Sequence, residues 1–321
     1  MTMRKSNLIY DFTFDELSQL LQTWGEPAYR ATQIWEFIYQ SLIDSPENFS
    51  NIPKTLRKKL QDDFSFSGLN PIDQIQSSGG QTSKTLFELV DGKRIETVLM
   101  NYRKRNTLCI SSQAGCAMNC SFCATGQMGF SRNLTAGEII EQVLYFARIL
   151  QARGEAVTNI VYMGMGEPLH NYDAVMQAIE TLNHSQGFNL GSRRFTISTV
   201  GLIPGIKKFT QEKSQVNLAV SLHSSNNQLR SSMMPVNNKY PIEELINACR
   251  QYVEITGRRI TFEWALIQDV NDTIEEAKNL AKLLQGMICH VNVIPLNPTK
   301  GFDGQKSNRE RVLAFKRTLE S

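Results

Sequence analysis

The sequence predicts an α/β protein, and three observations support this class. From Asn106 onward, strand-like apolar stretches alternate with amphipathic helical stretches in six successive units. The first hundred residues differ, because they show capped helices followed by a β-hairpin signal. The 321 residues are 41% hydrophobic and 20% charged, which is typical of a soluble globular protein. Serial strand–helix units imply a parallel sheet with right-handed crossovers, either as an open doubly wound sheet or as a partial barrel.

The N-terminal elements come first in chain order. A helix is predicted from Asp11 to Leu21, because Asp11 or Thr13 can cap it and its apolar residues form one stripe. Helices over residues 29–43 and 52–60 follow. Residues 84–89 and 94–100 then alternate in polarity around a turn at Asp91-Gly92, which predicts a hairpin.

The second part of the chain contains the six repeated units. The predicted strands cover residues 107–111, 159–163, 194–198, 216–222, 260–267 and 291–296. The predicted helices cover residues 136–151, 172–184, 203–209, 242–256, 274–284 and 308–319. In either architecture, functional groups collect at the C-terminal ends of the strands.

Composition excludes several classes of protein. No run of about 18 apolar residues occurs, so no membrane-spanning helix and no membrane partner are predicted. The basic N-terminus lacks the apolar core of a signal peptide, and we therefore expect a cytoplasmic protein. The net charge of +3 permits a nucleic-acid partner without requiring one.

Three of the six cysteines, Cys116, Cys120 and Cys123, lie within eight residues. Their C-x3-C-x2-C spacing, in the loop after the first repeated strand, makes three unrelated core cysteines improbable. Zinc with three thiolates and water remains an alternative, although structural zinc sites usually combine two C-x2-C pairs. The spacing favours a four-iron cluster, which is completed by four thiolates, so three leave one iron open to a small molecule.

The flanking residues make the chain similar to a known family. With its cysteine triplet the chain resembles the radical S-adenosylmethionine (SAM) enzymes, and more closely the RlmN-type adenine C2 methyltransferases of bacterial ribosomal and transfer RNA. The matching segments are AYRATQ (28–33), SSQAGCAMNCSFCATG (111–126), GFSRNL (129–134), MGMGEP (163–168), SLH (221–223), PVNNKY (235–240) and IPLNP (294–298).

This resemblance implies a partial (β/α)6 radical SAM barrel. Residues 101–321 would form this core without its final strand. Residues 1–100 would form an accessory helical domain with a β-ribbon that contacts RNA. The implied cofactors are a [4Fe-4S] cluster on Cys116, Cys120 and Cys123, and SAM bound to the open iron.

The resemblance also implies the other site residues. The SAM contacts would be Gly166, Glu167, Ser198, Ser221, Leu222, His223 and Asn297. Cys109 would resolve a covalent protein–RNA adduct, and Glu96 would be the general base. Without the resemblance, Cys109 is interpreted as a core residue and Glu96 as the exposed face of a hairpin.

One residue of the family mechanism has no counterpart in this sequence. The family methylates a cysteine in a C-terminal Cys-Gly-Gln segment before transferring the carbon to RNA, and no such segment occurs here. Cys249 and Cys289 are interpreted as core residues. We therefore expect a C-terminally shortened polypeptide that binds both cofactors without completing methyl transfer.

The implied partners are 23S ribosomal RNA, transfer RNA and an external electron donor such as flavodoxin, with the protein a monomer. Basic patches at Lys54, Arg57, Lys58 and Lys59, and at residues 103–105 beside Tyr102, suit phosphate contacts, although such patches are more often only solvated. The alternatives are an adenine C8 methyltransferase or another radical SAM enzyme, and a non-catalytic iron–sulfur or zinc protein that binds RNA.

Overall fold

The computed structural model describes residues 7–320, which contain α-helices and β-strands in alternation. The strands are β1 (Asn7–Leu8), β2 (Phe64–Ser65), β3 (Leu69–Gln76), β4 (Thr82–Leu89), β5 (Arg94–Tyr102), β6 (Arg105–Cys109), β7 (Gln113–Gly115), β8 (Phe130–Asn133), β9 (Asn159–Tyr162), β10 (Phe195–Thr199), β11 (Asn217–Ser221), β12 (Ile260–Leu266) and β13 (Cys289–Pro295). The helices are α1 (Phe14–Thr23), α2 (Tyr29–Tyr39), α3 (Lys54–Asp63), α4 (Ala124–Gln127), α5 (Ala136–Gln151), α6 (Tyr172–Asn183), α7 (Ile203–Gln211), α8 (Asn227–Met233), α9 (Ile242–Thr256), α10 (Ile274–Leu284) and α11 (Arg309–Glu320).

The chain divides into two compact units. The first comprises Met1–Ala114, Arg132–Met165 and Asn171–Phe195, and the second comprises Gly115–Ser131, Gly166–His170 and Thr196–Ser321. The predicted domain boundary at residue 100 stays a prediction. Within residues 7–320, no helix has both the length and the apolar character needed to cross a membrane.

In the first unit, strands β3, β4, β5 and β6 form an antiparallel ribbon, and β9 continues it parallel to β6. The predicted hairpin is therefore confirmed as β4 and β5. Strand β3 is an element that the sequence did not predict. Seven of its eight residues are exposed or nearly so and it contains Pro71, so its pattern lacks the alternation of a half-buried strand.

Helix α1 begins at a capping box formed by Thr13 and Glu16. The Thr13 hydroxyl accepts the Glu16 N–H at 3.2 Å, and the Glu16 carboxylate accepts the Thr13 N–H at 2.8 Å, which forms a capping box. Of the two predicted caps, Thr13 is correct. Asp11 instead accepts the N–H of Gly137 at 2.7 Å, in the first turn of α5, where the helix dipole favours a carboxylate.

Helix α2 is shorter than predicted, ending at Tyr39 rather than at residue 43. Leu42 has a φ of 59°, a left-handed conformation that a helix cannot continue through. Its carbonyl accepts the side chain of Arg148 on α5 at 2.9 Å. A tertiary contact thus ends the segment where local apolar periodicity would have extended it.

The second unit contains four parallel strands in the order β10, β11, β12 and β13, joined through α7, α9 and α10. On β12 the side chains of Phe262, Trp264 and Leu266 are fully buried, and the Trp264 ring meets Phe315 of α11 at 5.6 Å. This register directs the alternate side chains of β12, Thr261, Glu263 and Ala265, to the opposite face. The predicted alternation of strands and helices is confirmed.

Glu141 on α5 is a buried carboxyl group of the first unit. Its carboxylate is 4% exposed and accepts the N–H of Gly68 at 2.8 Å. Burial raises the pKa of Glu141 to about 7, against the opposing effect of its hydrogen bonds. Because the pKa of this carboxyl is higher in the folded than in the unfolded chain, it favours folding fully below about pH 4.3 and loses that contribution as the pH rises through 7.

We expect Glu141→Gln to remove this dependence. The wild type should lose on the order of 2–3 kcal/mol of unfolding free energy between pH 4.5 and 8 through this group, and the variant should lose correspondingly less. Urea unfolding at both pH values measures the difference. Glu180→Gln, at an exposed position on α6, is the control and should keep the wild-type slope. An unchanged slope in Glu141→Gln would contradict the assignment.

Candidate cofactor site

Backbone hydrogen bonds fix the loop that carries the three cysteines. The N–H of Cys116 donates to the Gly129 carbonyl at 2.9 Å, and the N–H of Ser121 donates to the Met233 carbonyl at 2.9 Å. Asn119 has a φ of 52°, so the chain reverses within the loop. Helix α4 starts directly after Cys123. These constraints place Cys116, Cys120 and Cys123 around one bend of the backbone.

The thiols lie close enough to influence one another. Cys116 is 8% and Cys120 is 7% exposed, whereas Cys123 is half-buried. Burial raises the pKa of Cys116 to about 11 and that of Cys120 to about 12, and the neighbouring thiolates add to both increases. The raised pKa values keep the Cys116 and Cys120 thiols neutral at pH 7, and a cationic group bound to them would favour their ionised forms.

The chemistry of the donor set, three neighbouring cysteine thiols, fits an iron–sulfur cluster. Among residues 7–320, no group of three or more histidine, cysteine or acidic side chains converges to hold one ion. A four-iron cluster needs one thiolate per iron, so its ligands need not converge on a point. The N–H of Met118 also points to the Cys116 sulfur, a hydrogen bond of the kind that tunes such clusters.

Glu167 stands beside this loop in the same unit. It follows Gly166, whose φ of 104° suits glycine, and its side chain is 1% exposed. Its two oxygens accept the N–H groups of Leu169 at 3.0 Å and Val200 at 2.8 Å. Burial raises its pKa to about 7, and these hydrogen bonds act in the opposite direction. A bound ammonium group would stabilise the ionised form.

The strand ends of the second unit carry three more predicted contacts. Ser198 lies near the end of β10, paired in register with Ala219 of β11. Ser221 ends β11 and pairs with Glu263 of β12, and Leu222 follows it. Parallel strands bring their C-terminal ends to one edge, so Ser198, Ser221 and Leu222 lie at that edge, and their contact with SAM stays a prediction.

His223 has the most constrained geometry of the set. Its φ is 57°, which is uncommon for a residue with a side chain and is often found at functional sites. Its Nδ1 accepts the Ala265 N–H at 2.9 Å, so the ring proton of the neutral form is assigned to Nε2. Burial, helped by Arg230, lowers its pKa to about 3. His223 is therefore a neutral donor through Nε2 at physiological pH.

Other residues link His223 to the cysteine loop and to β12. The ring of Phe122 meets the His223 ring edge-on at 4.9 Å. The Asn271 side chain donates to the carbonyls of His223 at 2.7 Å and Ala265 at 2.8 Å, and Asn271 is fully buried. Sequence reasoning did not identify Asn271. Its only sequence signal is a polar Asn-Asp pair after a strand.

Asn297 follows β13 and is exposed. The preceding residue, Leu296, packs with Cys120, Met233 and Met234 in one buried cluster. The backbone thus brings Asn297 next to residues that adjoin the cysteine loop. The side chain of Asn297 itself stays open for a ligand.

Glu96 and Cys109 lie on neighbouring strands of the first unit. Cys109 on β6 lies directly opposite Val98 of β5, which makes Glu96 its diagonal neighbour on the same face, about 7–8 Å away. Burial raises the pKa of Cys109 to about 12, so it is a neutral thiol. Glu96 is half-exposed and pairs with Lys84 at 2.8 Å.

Of the remaining cysteines, Cys249 on α9 is fully buried, as its interpretation as a core residue requires. Cys289 is only half-buried, so its interpretation as a core residue is wrong in part. The half-exposed position results from its place at the first residue of β13, which alternates between half-buried and exposed positions.

Some residues of the two basic patches make contacts within the protein. Lys59 lies over the Trp24 ring at 4.0 Å, and Arg57 donates to the Glu47 carbonyl at 2.7 Å. Arg105 lies over the Tyr102 ring at 4.7 Å. Aromatic rings beside cations suit RNA bases and phosphates, although the same contacts also stabilise the surface.

Comparisons with known proteins extend these observations. A family profile described as "Radical SAM superfamily" matches residues 110–284, and one described as "Ribosomal RNA large subunit methyltransferase N-terminal domain" matches residues 6–65. The chain is 46% identical, over 98% of its length and 89% of the relative's, to a "Probable dual-specificity RNA methyltransferase RlmN" of Dictyoglomus turgidum. It is 47% identical, over 97% of its length and 87% of the relative's, to the "Dual-specificity RNA methyltransferase RlmN 1" of Myxococcus xanthus.

The fold is similar to a solved structure. A crystal structure of a radical SAM methyltransferase from Sphaerobacter thermophilus superposes with a TM-score of 0.95 and 50% sequence identity, covering 98% of this chain and 92% of that one. The predicted fold class, a partial radical SAM barrel with an N-terminal helical part and a β-ribbon, is confirmed by this likeness.

Proposed function

As the chain belongs to the RlmN family of radical SAM RNA methyltransferases, we propose that it acts on carbon 2 of a specific adenine in 23S ribosomal RNA and in transfer RNA. Enzymes of this family use a [4Fe-4S] cluster and SAM. The words "dual-specificity" in the names of its relatives support two classes of RNA substrate. The observation that carries the proposal is the Glu96–Cys109 pair on one face of the ribbon, since removal of a group from an RNA adduct needs a thiol and a base together.

Cys116, Cys120 and Cys123 would hold three irons, and the bound group would supply the one electron that breaks a C–S bond of SAM to give methionine and a carbon radical. The residues around the cysteine loop would bind and orient SAM for this cleavage. Glu167 would accept hydrogen bonds from the SAM ammonium group while its carboxylate stays fixed by Leu169 and Val200. His223 would donate through Nε2, because its Nδ1 is already occupied. Ser198, Ser221, Leu222, Gly166 and Asn297 would complete the SAM pocket.

Cys109 and Glu96 would act after carbon transfer. We assign to Cys109 the resolution of the covalent protein–RNA adduct, and to Glu96 the role of general base in that step. The Lys84–Glu96 ion pair is exposed and contributes only about 0.2–1 kcal/mol, so it can open when RNA approaches. A folded RNA loop is a better substrate than a duplex, because the target base must leave its stack.

The methylated atom is identified with reconstituted protein under anaerobic reducing conditions. The RNA products are mapped by mass spectrometry. None of the six cysteines lies in a Cys-Gly-Gln segment. The experiment therefore compares the 321-residue polypeptide with a second polypeptide, in which the same sequence is followed by a strand that carries Cys-Gly-Gln. We expect both polypeptides to cleave SAM and only the second to form 2-methyladenosine. Cys109→Ala in the second should keep SAM cleavage and lose release of methylated RNA.

The other outcomes are equally specific. Formation of 8-methyladenosine by the second polypeptide would replace C2 with C8 as the target. Methylated adenine formed by the 321-residue polypeptide would show that one of its six cysteines carries the methyl group. SAM cleavage with no RNA methylation by either polypeptide would reject RNA as the substrate.

A further inference from the structure

Arg230 on α8 is a fully buried cation in the second unit. Its exposed fraction is 0%, which is rare for arginine. It donates to the carbonyls of Leu222 at 3.1 Å, Val200 at 2.7 Å and Ser221 at 3.1 Å, and to the side-chain oxygen of Asn237 at 3.0 Å. One guanidinium group therefore holds the ends of β10 and β11, where the predicted SAM contacts lie.

The charge of Arg230 is not balanced by the partners it contacts. All four of its hydrogen bonds go to neutral oxygens, and within residues 7–320 no carboxylate forms an ion pair with it. Carbonyl dipoles solvate the guanidinium but do not neutralise it. A buried charge without a counter-ion costs several kcal/mol, so such an arrangement usually has an anion nearby in the working protein.

The cysteine loop is the place where that anion would be. Three residues after Arg230, Met233 packs against Cys120, and its carbonyl accepts the Ser121 N–H at 2.9 Å. Arg230 lies within electrostatic range of the Cys120 thiol, as it does of the core thiol of Cys249. A four-iron core with three thiolates carries a net negative charge, and one-electron reduction increases it.

We propose that Arg230 is a positioning residue whose buried charge is the counter-ion of the iron–sulfur cluster and eases its one-electron reduction. The inference rests on the proposed assignment of Cys116, Cys120 and Cys123 as cluster ligands. In a poorly solvated interior, a nearby cation stabilises the more negative reduced state more than the oxidised state. Net charge and hydrogen bonding around a cluster set its reduction potential. The same residue anchors the SAM-binding strand ends.

The test is a redox titration of reconstituted protein, followed by the electron paramagnetic resonance signal of the reduced cluster, with dithionite as the one-electron donor. Arg230→Gln removes the charge and keeps hydrogen-bond donors, whereas Arg230→Lys keeps the charge and alters the donors. We expect a more negative midpoint potential in Arg230→Gln and a value near wild type in Arg230→Lys. Arg250→Gln is the matched control, since Arg250 also donates to two backbone carbonyls but is partly exposed.

Each outcome decides the inference. An unchanged potential in Arg230→Gln, or an equal shift in both Arg230 variants, would overturn it and leave a purely structural role. If Arg230→Gln holds no iron, a wild-type potential in Arg230→Lys supports the charge role. Loss of iron from both variants overturns it. Because the potential is measured without RNA, failure of the Cys-Gly-Gln-extended polypeptide to methylate RNA would reject the proposed function and leave this inference standing.

Discussion

Replacing Cys120 with alanine is expected to abolish iron–sulfur absorbance after anaerobic reconstitution and to reduce SAM cleavage to the level of the iron-free protein. Cys120 is the most constrained of the three thiols, because it packs with Met233, Met234 and Leu296 and its backbone contacts Gly126. With two thiolates left, one more iron loses its protein ligand, and the cluster no longer has the three anchors that leave one iron for SAM.

The control for this prediction is Cys249→Ala. Cys249 is 0% exposed and burial raises its pKa to about 12, so it too is a buried neutral thiol. Each substitution removes one sulfur from a packed site and should cost about 1 kcal/mol of unfolding free energy. Only Cys120→Ala should lose iron. Equal iron content in the two variants would show that Cys120 is a core residue and not a ligand.

Much of this site follows from local sequence patterns. The cysteine spacing, the glycine before Glu167 and the alternation of strands with helices all act over short stretches, and parallel strands then collect their ends at one edge. The capping box at Thr13 and the hairpin of β4 and β5 likewise need only neighbouring residues. Such features are predictable because the residues that cause them are adjacent in the chain.

The features that escaped prediction depend on distant residues. Arg230 is indistinguishable in sequence from an exposed helical arginine, and its burial depends on the carbonyls of Val200, Ser221 and Leu222. The left-handed conformation of His223 is held by Ala265 and Asn271, more than forty residues away. Strand β3 pairs along one edge of the ribbon with almost no buried residue to indicate it. Tertiary hydrogen bonds decide all three.

The cysteine loop contains a second position of large expected effect, Gly115. A methyl group added at Gly115 would overlap the carbonyl oxygen of Gly129, the same oxygen that accepts the N–H of Cys116. Backbone atoms cannot move aside as a flexible side chain does, so Gly115→Ala must break that hydrogen bond and displace Cys116. The φ of 78° at Gly115 adds a cost of about 1–2 kcal/mol for any residue with a Cβ.

We expect Gly115→Ala to lose about 3 kcal/mol of unfolding free energy and most of its iron, because the strain and the lost hydrogen bond act together. Gly129→Ala separates the two causes. Its φ of 74° is nearly the same, yet an added methyl group there meets no atom within 4 Å. It should therefore lose only the conformational cost of about 1–2 kcal/mol and keep its cluster. Urea unfolding and iron content measure both variants. If Gly129→Ala loses as much iron as Gly115→Ala, backbone conformation and not the overlap with Gly129 governs the position of Cys116.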